Sequence, residues 1–119
     1  MSAFELAHHE SGADAIALVS LEGELDLTNA AELDHRLTEA CPPERPLVVD
    51  LNRVAFLDSA ALHCFFRLAR SRGRSRLAFV VDPAAPIARA LSIVDLRGTA
   101  TIATTLDAAR EALNGGDTA

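Results

Sequence analysis

The chain has 119 residues, of which 50% are hydrophobic and 24% are charged, and its formal net charge is -6. This length fits one domain that buries roughly two thirds of the surface of its unfolded chain, and the composition excludes a disordered protein. The net charge is acidic and the chain contains no Lys. General binding to nucleic acids, which requires cations against the phosphates, is therefore not expected.

The first residues of the chain predict a β-hairpin. Residues 4–9 alternate loosely between apolar and polar side chains, which predicts an edge strand. Residues 15–21 are apolar and compatible with a second strand. The turn signal Ser11-Gly12 lies between the two segments, so we expect these strands to pair.

A helix is predicted after the second strand. Asn29 and Glu32 have the spacing of a capping box, in which two side chains satisfy free N–H groups at a helix start. The apolar residues that follow recur on one face of a helix. Two consecutive prolines end this helix near Ala40.

The middle of the chain predicts a buried strand and a second helix. Residues 46–51 are apolar apart from one aspartate, which is typical of a strand covered on both faces. We expect a short apolar loop and then a helix capped by Asp58, with Leu57 and Leu62 in the positions of a hydrophobic staple. Gly73 is expected to end this helix.

The last part of the chain continues the alternation of strands and helices. Residues 76–81 and 99–104 predict strands, and a short helix is expected to start near Ala84. A last helix, starting at Thr105 or Asp107, is expected to extend through Leu113.

This alternation predicts an α/β fold. We expect a single domain over residues 1–119, with a mixed, mostly parallel sheet of four to five strands and about four helices. The core is expected to span about residues 15–113, and residues 114–119 are expected to form a flexible tail.

The cysteines and the N-terminus indicate a cytoplasmic protein. Cys41 and Cys64 form neither a disulfide framework nor a zinc set, so we expect two free thiols in a reducing compartment. No segment approaches the roughly 18 apolar residues of a membrane span, and no basic region precedes an apolar core at the N-terminus. The histidines are too scattered for a metal site, and no cofactor is expected.

The start of the second helix is the strongest candidate site. Ser59 follows Asp58 directly, so its hydroxyl is predicted to lie near the free N–H groups of the first turn. A phosphate is electrostatically tolerated there, and it would change the local charge beside Asp58. On the residues alone, the simpler interpretation is that these two residues only cap a helix.

A polar stripe extends from this position along the second helix. Ser59, His63, Arg67 and Arg70 share one helical face, which could contact an acidic partner or could simply be solvated. Ser59 and His63 lack a third group and an oxyanion site, so we do not expect an enzyme. The arginines that follow lack aromatic neighbours for stacking on bases, which argues against a nucleic-acid site.

These features together resemble the STAS domain of the bacterial anti-sigma-factor antagonists. The resemblance covers roughly residues 15–113. Its most specific segments are Gly23-Glu24-Leu25-Asp26, Val48-Val49-Asp50-Leu51 and Phe56-Leu57-Asp58-Ser59-Ala60-Ala61-Leu62.

The resemblance implies a switch between protein partners. Ser59 matches the serine that an anti-sigma factor, itself a serine kinase, phosphorylates in that family, and a serine phosphatase reverses the modification. The unphosphorylated antagonist binds the anti-sigma factor and releases the sigma factor. The implied partner-binding residues are Asp26, Thr28, Asn29, Asp58, Ala60, Ala61, His63 and Arg67.

Two residues depart from the family pattern. Ala60 and Ala61 follow Ser59, where the family commonly has Ser or Thr and then Gly. An alternative function therefore stays open: an accessory STAS subunit of an ABC transporter, or a module of a larger stress-sensing complex. Asp26 also has a simpler interpretation, as a turn aspartate beside an N-cap.

Overall fold

The computed structural model describes residues 3–9, 16–40, 45–73, 76–93 and 100–115. These residues form an α/β fold that begins with a hairpin and continues with alternating helices and strands. The elements in chain order are β1 (Phe4–His9), β2 (Ala17–Leu25), α1 (Ala30–Ala40), β3 (Leu47–Leu57), α2 (Ser59–Arg72), β4 (Leu77–Val80), α3 (Ala88–Ile93), β5 (Thr101–Ala103) and α4 (Leu106–Gly115).

The strands form one mixed sheet in the order β1-β2-β3-β4-β5. β1 pairs with β2 antiparallel, and the other three neighbouring pairs are parallel. The predicted α/β class and the predicted pairing of the first two strands are thereby confirmed. The turn Ser11-Gly12 and residues 116–119 of the predicted tail lie outside the described residues.

Different helices cover the two faces of the sheet. On one face, α1 and α2 enclose the larger apolar core, in which the rings of Phe65 and Phe79 lie 5.1 Å apart, centroid to centroid. On the other face, Ala109 and Leu113 of α4 pack in one cluster with residues of β3, β4 and β5. Because β3 and β4 are covered on both faces there, residues 47–49 of β3 and 77–80 of β4 form continuous apolar runs in the sequence.

Strands β2 and β3 are longer than predicted. β2 continues to Leu25, and residues 52–57, predicted as a loop, belong to β3. Two register shifts between these strands each place an extra residue in β3. Buried residues in this part of β3 therefore recur at every third position, namely Leu51, Val54 and Leu57. This spacing hides the alternation by which a strand is recognised in a sequence.

Two helix starts differ from the prediction. Asn29 precedes α1 as expected, but its side chain bonds to the preceding loop, so it does not form the predicted capping box with Glu32. α3 begins at Ala88 and not near Ala84, because Pro86 disfavours helical geometry in the residue before it. α4 extends two residues further than predicted, to Gly115, so residues 114 and 115 belong to this helix and not to the predicted tail.

Three predicted caps are confirmed. Asp58 caps the start of α2, and Gly73 ends this helix with φ of 90°. The hydroxyl of Thr105 accepts a hydrogen bond from the N–H of Ala108, so Thr105 caps α4. The side chains of Asp58 and Thr105, and the backbone N–H of Gly73, satisfy backbone groups that a helix end otherwise leaves unpaired.

Gly23→Ala is expected to destabilise the protein more than the matched change Gly73→Ala. Both glycines have a positive φ, which costs any other residue about 1 kcal/mol or more. A Cβ on Gly23 would also lie 2.5 Å from the carbonyl oxygen of Ala3, whereas a Cβ on Gly73 meets nothing within 4 Å. We expect urea unfolding to show losses of about 3 kcal/mol for Gly23→Ala and about 1 kcal/mol for Gly73→Ala. Equal losses would contradict this account.

Candidate functional site

The loop after β2 and the junction between β3 and α2 lie side by side at one edge of the sheet. Parallel neighbouring strands end at the same edge, and the backbone N–H of Asp58 donates to the carbonyl oxygen of Leu25 at 3.1 Å. Residues 26–29 are therefore held beside the start of α2. This edge contains most of the site residues that the sequence predicted.

The Asp58 carboxylate connects these two segments. Its Oδ1 accepts hydrogen bonds from the N–H groups of Ala60 at 2.9 Å and Ala61 at 3.1 Å. Its Oδ2 accepts a hydrogen bond from the N–H of Leu27 at 3.1 Å. One side chain therefore caps α2 and fixes the position of the neighbouring loop.

A second set of hydrogen bonds shapes the loop itself. Asp26 Oδ1 accepts from both the N–H and the hydroxyl of Thr28. Asn29, which is only 9% exposed, accepts from the N–H of Asp26 at 3.0 Å and donates from Nδ2 to the carbonyl oxygen of Glu24 at 2.9 Å. The three predicted loop residues Asp26, Thr28 and Asn29 thus form a turn that is ordered by its own side chains.

Ser59 is the first residue of α2, and its side chain is exposed. Its hydroxyl has no hydrogen-bond partner among the described residues. The N–H groups of Ala60 and Ala61 already donate to Asp58, so they are not open to a group on Ser59. Ala61 is buried in the core and Ala60 is half-buried, so Ser59 is the outward-facing residue of this first turn.

Two large apolar side chains are exposed at the same edge. Leu27 is 77% exposed and Phe56 is 51% exposed. Leu27 is held by Asp58 through its backbone, and Phe56 lies two residues before Asp58 in β3. Neither residue is among the partner-binding residues that the sequence predicted. Their exposure follows from the topology, because β2 and β3 end side by side at this edge.

The predicted polar stripe of α2 is exposed, but its residues differ in their surroundings. His63 and Arg70 are exposed along the same face as Ser59. Arg67 Nη2 lies 3.8 Å from Asp34 Oδ2 of α1, so Arg67 pairs with a residue of its own chain. His63 is consequently the stripe residue nearest to Ser59 that has no ion pair within the described residues.

Cys64 lies behind the stripe in a fully buried position. Its Sγ donates to Asp34 Oδ1 at 3.6 Å. Burial, and secondly the adjacent Asp34 carboxylate, raise the pKa of the Cys64 thiol to about 12, while Arg67 opposes the shift. Cys64 is a free thiol as predicted, and the other predicted free thiol, Cys41, lies outside the described residues.

Two absences hold for the described ranges. No cluster of three or more His, Cys, Asp or Glu side chains within them could hold a metal ion. None of the helices described is long and apolar enough to cross a membrane.

The fold and the site define an α/β domain with an exposed serine at an ordered edge of a mixed sheet. The family model described as Mlab, STAS domain matches residues 8–104, which is most of the chain. The chain therefore belongs to the STAS domain family. Among proteins with curated functions, none matches it in sequence.

Solved structures with the same fold include anti-sigma factor antagonists. One from Mycobacterium paratuberculosis is 25% identical with a TM-score of 0.81, and the match covers 94% of this chain and 95% of that one. A candidate antagonist from Thermotoga maritima is 19% identical with a TM-score of 0.70, covering 92% and 94%. A Shewanella loihica protein with a SpoIIAA-like fold is 13% identical with a TM-score of 0.54, covering 95% of both chains.

Asp58→Ala is expected to destabilise the protein, whereas Ser59→Ala is not. The first change removes three hydrogen bonds, including the cap of α2. We expect it to lower the free energy of unfolding by about 1 to 2 kcal/mol. The second removes an exposed hydroxyl, so its effect should stay within about 0.5 kcal/mol. Urea unfolding of both variants measures the difference, and a Ser59→Ala loss as large as that of Asp58→Ala would contradict the assignment.

The Cys64 thiol is expected to react slowly with alkylating reagents. With a pKa of about 12, roughly one molecule in 10,000 carries the thiolate at pH 8. In a Cys41→Ser background, mass spectrometry should show slow modification that accelerates as the pH rises towards 12.

Asp34→Asn should lower the pKa of Cys64 and speed its modification, because the change removes a carboxylate that raises the pKa. Glu39→Gln is the matched control, since Glu39 is also an acidic residue of α1 but pairs with His35 at 3.3 Å. Equal acceleration in both variants would contradict the role of Asp34.

Proposed function

We propose that the protein is an anti-sigma-factor antagonist whose binding is switched off by phosphorylation of Ser59. The observation that carries this proposal is the placement of Ser59: exposed, first in its helix, and without a hydrogen-bond partner among the described residues. The family membership and the likeness to solved antagonists support it.

The surface around Ser59 is suited to a protein partner. Leu27 and Phe56 offer exposed apolar side chains, and large apolar residues are typical contacts at the centre of a protein interface. His63 adds a polar group one helical turn from Ser59. The hydrogen bonds of Asp58 and Asn29 order this surface before a partner arrives, so binding requires little further ordering.

A phosphate on Ser59 acts through charge. Transfer of the γ-phosphoryl group of ATP to the Ser59 hydroxyl oxygen releases ADP and a proton, and adds about -1.5 to -2 charges. The nearest helical N–H groups already bond to Asp58, so the phosphate would be placed beside a carboxylate on the partner-facing surface. Burying these charges against a partner without compensating cations costs several kcal/mol, which is enough to dissociate a complex.

The proposed partners are those that the resemblance to the anti-sigma-factor antagonists implies. The anti-sigma factor is itself the serine kinase and supplies the ATP site, and a serine phosphatase restores the unmodified state. The antagonist needs no cofactor, performs no catalysis of its own and acts in the cytoplasm. The partner-binding residues are the loop Asp26, Thr28 and Asn29 together with Asp58, Ala60, Ala61, His63 and Arg67, to which we add Leu27 and Phe56.

A second candidate function is favoured by Ala60 and Ala61. These residues depart from the pattern of phosphorylated antagonists, and both N–H groups are already used by Asp58. In an accessory subunit of an ABC transporter, or in a stress-sensing complex, the same surface would bind its partner without phosphorylation.

Phosphorylation should occur on Ser59 and should dissociate the complex. The purified protein is incubated with each kinase-type anti-sigma factor of the source organism and Mg-ATP, and the phosphate is located by mass spectrometry. Ser59→Ala should block modification but retain binding, and Ser59→Asp should weaken binding at least tenfold. Ser71→Ala is the matched control, because Ser71 is an exposed serine of the same helix.

The outcomes separate the candidates. Phosphate on Ser71 or elsewhere, with Ser59 unmodified, would disprove the site. Equal binding of the wild type, Ser59→Ala and Ser59→Asp to the same anti-sigma factor would disprove the charge switch. A transporter ATPase that binds all three variants equally would support the second candidate.

A further inference from the structure

β1 is one of the two edge strands of the sheet, and no described strand pairs with its free side. β1 pairs with β2 in an unbroken register over all six residues. Four of these six residues are exposed. Edge strands are usually protected by charged side chains, proline or a bulge, and Phe4–His9 contains one carboxylate, Glu5, but no lysine, proline or bulge. This regular, exposed edge is therefore open to pairing with another strand.

The free side of β1 presents the backbone groups of every second residue. The carbonyl oxygen of Ala3 accepts from the N–H of Glu24 at 3.0 Å, so the backbone of Ala3 faces β2. Backbone direction alternates along a strand, so the next residue and every second one after it face outward. The outward-facing residues are Phe4, Leu6 and His8.

The side chains of β1 complement those of a second, antiparallel β1. When Ala7 lies opposite Ala7 of the second copy, each Glu5 lies opposite a His9. His9 Nε2 is hydrogen-bonded to Ser20 Oγ at 2.9 Å, which holds the ring on that face of the sheet. If Leu6 instead lay opposite Leu6, the two Glu5 side chains would be diagonal neighbours and would repel each other. The register centred on Ala7 avoids this repulsion and places a His9 ring, which can form a hydrogen bond with a carboxylate, opposite each Glu5, so we favour it over the register centred on Leu6.

We propose that two copies of this chain associate through β1 in this register and form one continuous sheet. Leu6 and His8 of each copy then exchange backbone hydrogen bonds with His8 and Leu6 of the other. The two-fold axis is perpendicular to the sheet, so the parallel strands of the copies run in opposite directions. The two Ser59 edges consequently face opposite ways, and each stays accessible to a partner.

The dimer is expected to be weak. A strand pair of six residues buries less than the roughly 1,200 Å² of a standard stable interface. Sedimentation velocity over a wide range of protein concentration should therefore show a reversible shift from 12.6 kDa towards twice that mass. A chain that stays monomeric up to millimolar concentration would overturn the proposal.

Cysteine cross-linking tests the register. In a Cys41→Ser background, Ala7→Cys should form a disulfide-linked dimer under mild oxidation, because opposite residues of a non-hydrogen-bonded pair are close enough for a disulfide. Ala108→Cys, an exposed position on α4, reports cross-linking by random collision. We expect Ala7→Cys to cross-link at least tenfold faster. Equal rates, or efficient cross-linking of Leu6→Cys in its place, would overturn the register centred on Ala7.

A charge exchange tests the pairing of Glu5 with His9 and does not depend on cysteine chemistry. His9→Glu places like charges opposite each other twice in the dimer and should weaken association roughly fivefold. Adding Glu5→Arg to that variant should restore it. Glu5 and His9 are four residues apart on one strand, about 13 Å, so they do not contact each other within one copy. Glu5 also lies opposite Glu22 of β2, so the single variant Glu5→Arg is the control for effects within one copy. A double variant that remains as weak as His9→Glu would contradict the proposal.

Discussion

The rest of this site depends on the hydrogen bonds that the Asp58 carboxylate accepts. The segments that follow β2 and β3 leave the sheet at neighbouring points, where strand pairing no longer holds them. Asp58 replaces that pairing, because one of its oxygens caps α2 and the other accepts from the backbone of Leu27. The direction in which Ser59 faces is therefore set by Asp58, and the Ser59 side chain takes no part in these hydrogen bonds.

A second connection lies behind this edge, where the carboxylate of Asp34 in α1 contacts two residues of α2. One of its oxygens accepts from the buried thiol of Cys64, and the other pairs with Arg67. The two helices are therefore joined both at their starts, through the loop, and along their length. The proposed phosphate on Ser59 would lie on a backbone that these contacts already hold in place, which favours a switch by charge over a switch by a change of shape.

Much of the fold followed from the sequence, because the features that carry it are local. Proline, glycine and cap residues mark the helix ends, and apolar runs mark the strands that are covered on both faces. The errors arose where tertiary pairing overrides local signals. The two bulges change the spacing of buried residues in β3, so that its last six residues resemble a loop. Asn29 has the spacing of a capping residue, but its side chain is used by the loop that precedes it.

Only part of the site was predicted, again because local signals can be recognised in a sequence and tertiary contacts cannot. Asp58 and Ser59 stand out because a cap is encoded within four residues, whereas Leu27 and Phe56 have no local signal that separates them from core residues. Their exposure results from the ends of two parallel strands meeting at one edge. Such a surface can be recognised only in the folded structure, where segments about thirty residues apart in the chain lie side by side.

The residues at this edge fall into two groups, those that hold the backbone and those that are exposed, and this has an evolutionary consequence. Asp58 and Asn29 hold the backbone, while Leu27, Phe56 and His63 expose their side chains and contribute little to the core. Substitution of the second group would change the surface offered to the proposed partner and would leave the backbone hydrogen bonds intact. Duplicated copies of such a domain can therefore diverge towards separate, non-cross-reacting partners without passing through unstable intermediates.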